Sequence, residues 1–153
     1  MRQTAPRRLL AGIALAALAT TAYARTETCK AATEKDIAAL FDRWNSSLAT
    51  GDPKKVVANY ATRSVLLATV SNKPRLTPDE KLDYFNYFLK SKPQGTIDSR
   101  TIEIDCNSAF DAGVYTFKFG DGSTVKARYT YTYKWDGKQW LITSHHSSAM
   151  PEK

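Results

Sequence analysis

The C-terminal segment 125–151 constrains the fold most, because it holds two strand-length stretches on either side of an Asp136-Gly137 turn. Before the turn, every second residue is large and aromatic: Tyr129, Tyr131, Tyr133 and Trp135. Such alternation is typical of a β-strand whose two faces differ. Asp-Gly favours the positive φ angles of a type I′ turn, so the segment predicts an antiparallel β-hairpin.

Three helix starts precede this hairpin. Thr33 and Thr77 each stand three residues before an acidic side chain, Asp36 and Glu80, which is the pattern of a capping box. Asp52-Pro53 begins another helix, with Asp as N-cap and Pro in the first turn; this helix is expected to carry Tyr60. After the first start, apolar residues recur at helical spacing: Ile37, Leu40, Phe41, Trp44 and Leu48.

The remaining pattern indicates strands. Short strands are expected at 65–68 and after the turn at 72–74, and long ones at about 97–106, 112–119, 124–135 and 139–147. Gly-containing hairpin turns are expected at 111–113 and 120–122. Helices gathered before a run of hairpins predict an α+β domain, with three N-terminal helices packed on one face of a curved, mostly antiparallel sheet.

Residues 1–24 have the pattern of a signal peptide: a basic start, an apolar run at 9–19 and Ala22-Tyr23-Ala24 before the expected cut. The mature chain would begin with a tail at 25–32 and be periplasmic or secreted, with no membrane segment after cleavage. Removal of 1–24 lowers Lys plus Arg from 22 to 19 against 15 acidic residues, and the net charge from +7 to +4. The remaining basic residues are spread along the chain, so nucleic-acid binding is not expected.

Cys29 and Cys106 are the two cysteines of the chain. In an exported protein, such a pair is more often a disulfide than two free thiols. The alternative is a catalytic thiol, but neither cysteine has an obvious neighbouring base in the sequence.

The order of elements and several local motifs together resemble the calcium/calmodulin-dependent protein kinase II association domain. This family belongs to the cone-shaped nuclear transport factor 2-like superfamily, with ketosteroid isomerase and the SnoaL-like proteins. The resemblance covers about 33–151 and rests on these segments: Leu48-Ala49-Thr50-Gly51-Asp52, Tyr84-Phe85, Phe88-Leu89, Lys92-Pro93-Gln94-Gly95, Asp136-Gly137-Lys138, Trp140-Leu141-Ile142 and His146-Ser147-Ser148 to Pro151.

The resemblance implies a pocket between the helices and the concave sheet, and self-association through the outer sheet face. It does not imply kinase activity, since the sequence contains no Gly-rich nucleotide loop, no His-Arg-Asp loop and no Asp-Phe-Gly triplet. Arginines line the pocket of the kinase relative. Alignment on the Asp-Gly turn places Thr130 and Ser147 at two of those positions, so that arrangement is not carried over intact.

The family pattern and their bulk suggest that Trp140 and Ile142 face the helices. Strand parity then predicts a pocket floor of Arg128, Thr130, His146 and Ser148, and Trp44 and Tyr60 are expected in the wall. These groups suit a small anionic or carbonyl-bearing ligand. The alternative is a buried polar network that stabilises the sheet.

The row Tyr129, Tyr131, Tyr133 and Trp135 would then face outward and form a dimer surface. Two other functions stay open: a SnoaL or ketosteroid isomerase-type cyclase or isomerase acting on a hydrophobic carbonyl compound, and a purely structural oligomerisation module. No catalytic base can be assigned, and no cofactor is expected. No metal is expected either, because the adjacent His145 and His146 point to opposite faces of a strand.

Overall fold

A computed structural model describes residues 27–151, so the expected signal peptide lies outside the described part of the chain. The elements in chain order are α1 (Glu34–Ala49), α2 (Pro53–Val57), β1 (Tyr60–Leu67), α3 (Pro78–Phe88) with a 3-10 turn at Leu89–Ser91, β2 (Gln94–Ile104), β3 (Ser108–Lys118), β4 (Thr124–Trp135) and β5 (Trp140–Ala149). The predicted α+β class and its three helices are confirmed.

The five strands form one sheet in the order β1-β5-β4-β3-β2. β1 pairs with β5 in parallel, and the other three pairs are antiparallel. Tyr60 begins β1 rather than continuing α2. The second short strand expected after residue 74 is reduced to an isolated bridge between Leu66 and Arg75.

Both capping boxes form as the sequence predicts. The Thr33 hydroxyl accepts a hydrogen bond from the Asp36 amide while the Asp36 carboxylate accepts from the Thr33 amide. Thr77 and Glu80 make the same reciprocal pair at the start of α3. These bonds satisfy backbone amides that the first turn of a helix leaves without partners.

The core lies between the helices and one face of the sheet. Phe41 and Trp44 of α1 pack their rings on the tyrosines of β3 and β4. Phe85 of α3 meets the edge of Trp44, with ring centroids 6.4 Å apart. The aromatic side chains therefore connect both long helices to the sheet.

The expected turn at 111–113 is wrong, because β3 runs through it. The connection between β2 and β3 is instead 105–107, where the amide of Asp105 donates to the carbonyl of Ser108. The turn at 136–139 also differs from type I′. Gly137 has φ of +100°, Asp136 does not have positive φ, and the Asp136 carboxylate accepts from the amides of Lys138 and Gln139.

The predicted disulfide between Cys29 and Cys106 is present, with 4.5 Å between the two Cα atoms. It joins the N-terminal tail to the β2–β3 connection. Asn107, beside it, accepts from the Lys30 amide at 2.9 Å and donates to the Glu27 carboxylate at 2.8 Å. The tail is thus held by covalent and polar contacts at one end of the sheet.

Candidate functional site

The tyrosine row predicted to face outward lies in the core. Tyr129, Tyr131 and Tyr133 are 2%, 0% and 1% exposed, and Trp135 is partly buried. The rings of Tyr129 and Tyr131 pack on Phe41 of α1, with centroids 6.4 and 6.3 Å away. The prediction failed because it placed Ile142 and the tyrosines on opposite faces, whereas Tyr133 pairs directly with Ile142. Directly paired residues of an antiparallel ladder share a face.

The predicted pocket floor lies on the outer face of the sheet. Arg128 and His146 are exposed, and Thr130 and Ser148 are partly exposed. Thr130 pairs with His146, and Arg128 with Ser148. The assignment of these four side chains to the pocket is therefore wrong.

A β-bulge in β5 explains why His145 points into the core and His146 points out. Thr132 pairs with Ser144 and Tyr133 with Ile142, so Thr143 is an extra residue in the ladder. An extra residue inverts the alternation beyond it. His145 consequently points into the core, where it is 4% exposed, and His146 points out.

The predicted wall residues Trp44 and Tyr60 lie inside and are connected to His145 by hydrogen bonds. The Trp44 indole Nε1 donates to the Tyr60 hydroxyl at 3.1 Å. The same hydroxyl lies 2.7 Å from His145 Nδ1. Burial raises the pKa of Tyr60 well above 10 and lowers the pKa of His145 to about 3. Both groups are therefore neutral at physiological pH.

His145 and Trp44 also line a cavity between α3, the start of β4 and the loop after β1. The cavity has a volume of about 80 Å³, counted as the space that the centre of a water molecule could occupy. Seven aromatic side chains form much of its wall: Trp44, Tyr84, Phe85, Phe88, Tyr115, Phe117 and Phe119. Small aliphatic side chains complete the apolar part: Leu66, Ala68, Val70, Val125 and Ala127.

The polar groups of the cavity wall belong to five residues: Thr69, Tyr84, Tyr115, His145 and Ser147. The hydroxyls of Thr69 and Ser147 lie 2.5 Å apart and share one hydrogen bond, in which either can donate. Among the described residues, His145 Nε2 is a buried polar atom without a hydrogen-bond partner. Sequence parity missed His145, and only recognition of the bulge would have identified it.

A second buried polar group was also missed. Asp111, expected in a turn, is 0% exposed on the inner face of β3. Its carboxylate accepts from the Tyr129 hydroxyl at 2.7 Å and from Arg100 at 2.8 Å. Burial raises the pKa of this carboxyl, although Tyr129 and Arg100 lower it in part. Asp111 does not line the cavity, so we regard this group as a structural network.

Within residues 27–151, no group of three or more His, Cys, Asp or Glu side chains could hold a metal ion. No helix in that part of the chain is long and apolar enough to cross a membrane.

Known proteins share this architecture. The family model of the calcium/calmodulin-dependent protein kinase II association domain matches residues 33–151. A solved structure from Xanthomonas campestris, described as a candidate association domain of this kind, is 48% identical; the match covers 85% of this chain and 100% of that chain, with a TM-score of 0.75.

More distant solved structures share the fold alone. A nuclear transport factor 2-like protein of unknown function from Pseudomonas putida is 18% identical, with 78% of this chain and 87% of that chain covered and a TM-score of 0.69. A candidate dehydratase of the nuclear transport factor 2-like family from Streptomyces avermitilis is 10% identical, with 77% and 97% covered and a TM-score of 0.68. The comparison with curated proteins returns no match. Since the family model spans most of the sequence, the chain belongs to the calcium/calmodulin-dependent protein kinase II association domain family.

Proposed function

We propose that this protein is an exported domain that associates with itself and binds a small, mainly apolar ligand in the cavity beside His145. The observation that carries the ligand proposal is the cavity itself, whose wall combines seven aromatic side chains with a buried imidazole. Apolar walls with few polar groups are the usual composition of small-molecule sites.

The size of the cavity restricts the ligand. At about 80 Å³, it is smaller than the roughly 300–1,000 Å³ of sites that enclose drug-sized molecules. Val70 and Val125, which line it, are 73% and 42% exposed and mark its mouth. We therefore propose a small compound, or the apolar end of a longer one that extends past these two residues.

The enzyme alternative requires a base at the cavity. A ketosteroid isomerase-type reaction uses a carboxylate to remove a proton from the substrate. The cavity wall within the described residues presents no Asp or Glu, and Asp111 is already engaged by Arg100 and Tyr129. The candidate dehydratase is similar only in fold. We therefore propose ligand binding rather than carboxylate-based catalysis.

Filling the cavity should abolish binding without harming the fold. Ala68 is 8% exposed and lines the cavity, so Ala68→Leu places three more carbons in the empty space. We expect the affinity for cyclopentanone, titrated by protein-observed NMR, to fall at least tenfold while the melting temperature stays the same or rises.

Ala39→Leu is the matched control, because Ala39 is exposed on α1, away from the cavity. The affinity of this variant for cyclopentanone should equal that of the wild type. Equal binding to the wild type and Ala68→Leu would place the ligand elsewhere. No binding of any small apolar compound to the wild type would favour the purely structural module.

The self-association proposal concerns the outer face of the sheet. At its centre, Phe110 pairs with Thr132 and Ala112 with Thr130. All four side chains are partly exposed, and the described helices pack on the opposite face. The proposed occupant is a second copy of this chain, which the association-domain family supports.

A charge at the centre of this face should disrupt the assembly. We expect Phe110→Glu to weaken self-association at least tenfold in sedimentation velocity, because an unpaired carboxylate would be buried between the two copies. Tyr87→Glu is the matched control, since Tyr87 is 72% exposed on α3, away from the sheet face, and should assemble like the wild type. A wild-type protein that sediments as a monomer at micromolar concentration would contradict the proposal.

Export is supported by two features. Residues 1–24 have the charge and apolar pattern of a signal peptide. The Cys29–Cys106 disulfide is of a kind that persists in oxidising compartments. We propose a periplasmic or secreted location on these grounds.

A further inference from the structure

We infer that the cavity selects an uncharged ligand with an oxygen acceptor, such as a ketone, aldehyde or ester, by offering it the Nε2–H of His145. This inference rests on the proposed ligand-binding function and specifies the chemistry of the same site. It replaces the anionic ligand that the sequence left open.

The position of the imidazole proton follows from the hydrogen bonds of the Tyr60 hydroxyl. The indole N–H of Trp44 is a donor only, so the Tyr60 oxygen accepts from it at 3.1 Å. Among the described residues, the hydrogen of this hydroxyl has an acceptor only if it is donated to His145 Nδ1, 2.7 Å away. A neutral imidazole that accepts at Nδ1 carries its proton on Nε2.

This Nε2–H donor has no partner within residues 27–151 and is buried. A buried donor without an acceptor costs free energy, so an acceptor brought by a ligand would be favoured. His145 lines the cavity, whereas Tyr60, which holds the opposite side of the ring, does not. Nε2 therefore lies on the edge of the imidazole turned away from Tyr60, and a ligand bonds to it once the cavity side chains that now cover it give way.

The ring is held in place before any ligand arrives. His145 stacks on Tyr131, with centroids 4.1 Å apart, and meets the edge of Trp44 at 5.3 Å and 86°. A donor that is already oriented loses little conformational freedom on binding. The hydroxyls of Ser147 and Thr69, by contrast, already share a hydrogen bond with each other.

The ligand is inferred to be uncharged because the cavity wall contains no side chain that could pair with a charge. Among the described residues that line the cavity, none is Lys, Arg, Asp or Glu. Arg128, the predicted anion-binding residue, is exposed on the outer face. The buried Lys81 donates to the Ser64 carbonyl at 2.8 Å and is not part of the wall. A charged ligand would lose its hydration without gaining an ion pair.

A thermodynamic cycle with two compounds of equal shape tests the inference. Cyclopentanone has a carbonyl oxygen where methylenecyclopentane has a CH₂ group. Only the ketone can therefore accept a hydrogen bond. Titration by protein-observed NMR should show that His145→Phe weakens the ketone about tenfold, the loss of one buried hydrogen bond, and changes the hydrocarbon less than twofold. Cyclopentanecarboxylate should bind the wild type at least tenfold more weakly than the ketone.

Ser46→Ala is the control, since Ser46 is exposed on α1 and does not line the cavity, and it should leave the ratio of the two affinities unchanged. A readout independent of binding is the long-range ¹H–¹⁵N spectrum of His145, which should show the Nε2-protonated ring. Tyr60→Phe removes the donor to Nδ1 and should shift this tautomer, and it keeps the inference testable if His145→Phe does not fold.

The outcomes separate the inference from the function on which it rests. Equal loss of both compounds in His145→Phe, tighter binding of the carboxylate, or an Nδ1-protonated ring would overturn the inference and leave ligand binding in place. Failure of all three compounds to bind the wild type would overturn the proposed function.

Discussion

Removal of the disulfide should lower the free energy of unfolding by about 4 kcal/mol at 25 °C. Cys29 and Cys106 are 77 residues apart, and closing a loop of that length removes conformational entropy from the unfolded chain equivalent to roughly 4.5 kcal/mol. The Cys29→Ala/Cys106→Ala variant loses this restriction. Its unfolded state is also less compact, so the urea dependence of unfolding should become steeper.

Urea unfolding of the oxidised protein, the double variant and the wild type in reductant measures this effect. The double variant and the reduced wild type should have the same free energy of unfolding. Asn107→Ala is the matched control, because it removes the hydrogen bonds to Lys30 and Glu27 but keeps the covalent bond. We expect it to cost about 1 kcal/mol. A double variant that loses no more than this control would show that polar contacts, not the disulfide, hold the tail.

The helices could be predicted because their signals are local. Thr33 with Asp36, and Thr77 with Glu80, satisfy backbone amides three residues away, and this chemistry does not depend on the rest of the fold. The disulfide could also be predicted, since the sequence contains two cysteines and their pairing has one solution. The sequence of residues 33–151 is accordingly enough to identify the α+β architecture.

The sequence contains enough information to predict which face of the sheet the β4 tyrosines occupy, although the prediction was wrong. The 136–139 turn places Trp135 opposite Trp140 and therefore Tyr133 opposite Ile142. Once Ile142 is assigned to the core, the ladder assigns the tyrosines to the same face. The sequence interpretation instead treated an aromatic row as an assembly surface, and placed Arg128 inside.

Strict alternation of side chains along β5 could not assign His145 to the cavity. No residue type marks Thr143 as the extra residue of a bulge, and its hydroxyl lies 2.8 Å from that of Thr132 in an otherwise regular ladder. A one-residue insertion exchanges the roles of His145 and His146. The choice between adjacent histidines thus depends on how β4 and β5 pair, which requires the three-dimensional structure.

Asp111-Ala112-Gly113 was interpreted as a turn because Asp and Gly favour turns. In the fold, each has a different reason to be in a strand. Asp111 is the buried acceptor for Arg100 and Tyr129. Gly113 pairs with Arg100, next to a register shift between Ile97 and Ser99 in β2.

Gly113→Ala should therefore destabilise the protein by about 3 kcal/mol, the upper part of the range for overpacked sites. A Cβ at this position would overlap the Ser99 carbonyl oxygen and lie 2.8 Å from its carbon and 2.9 Å from the Arg100 Cα. All three are backbone atoms, which cannot rotate away as a side chain can. Separation of β2 from β3 would relieve the overlap, and it would also move Arg100 away from Asp111.

Gly120→Ala is the matched control, two residues beyond the end of the same strand. Its Cβ would lie 3.2 Å from Cβ and Cδ of the exposed Lys92, and rotation of the Lys92 side chain with a shift of a few tenths of an ångström relieves both contacts. We expect a change within about 0.5 kcal/mol. Chemical denaturation of both variants gives the comparison. If Gly113→Ala is as stable as Gly120→Ala, the two strands do not approach this closely, and Gly113 has no steric role in placing Arg100 against Asp111.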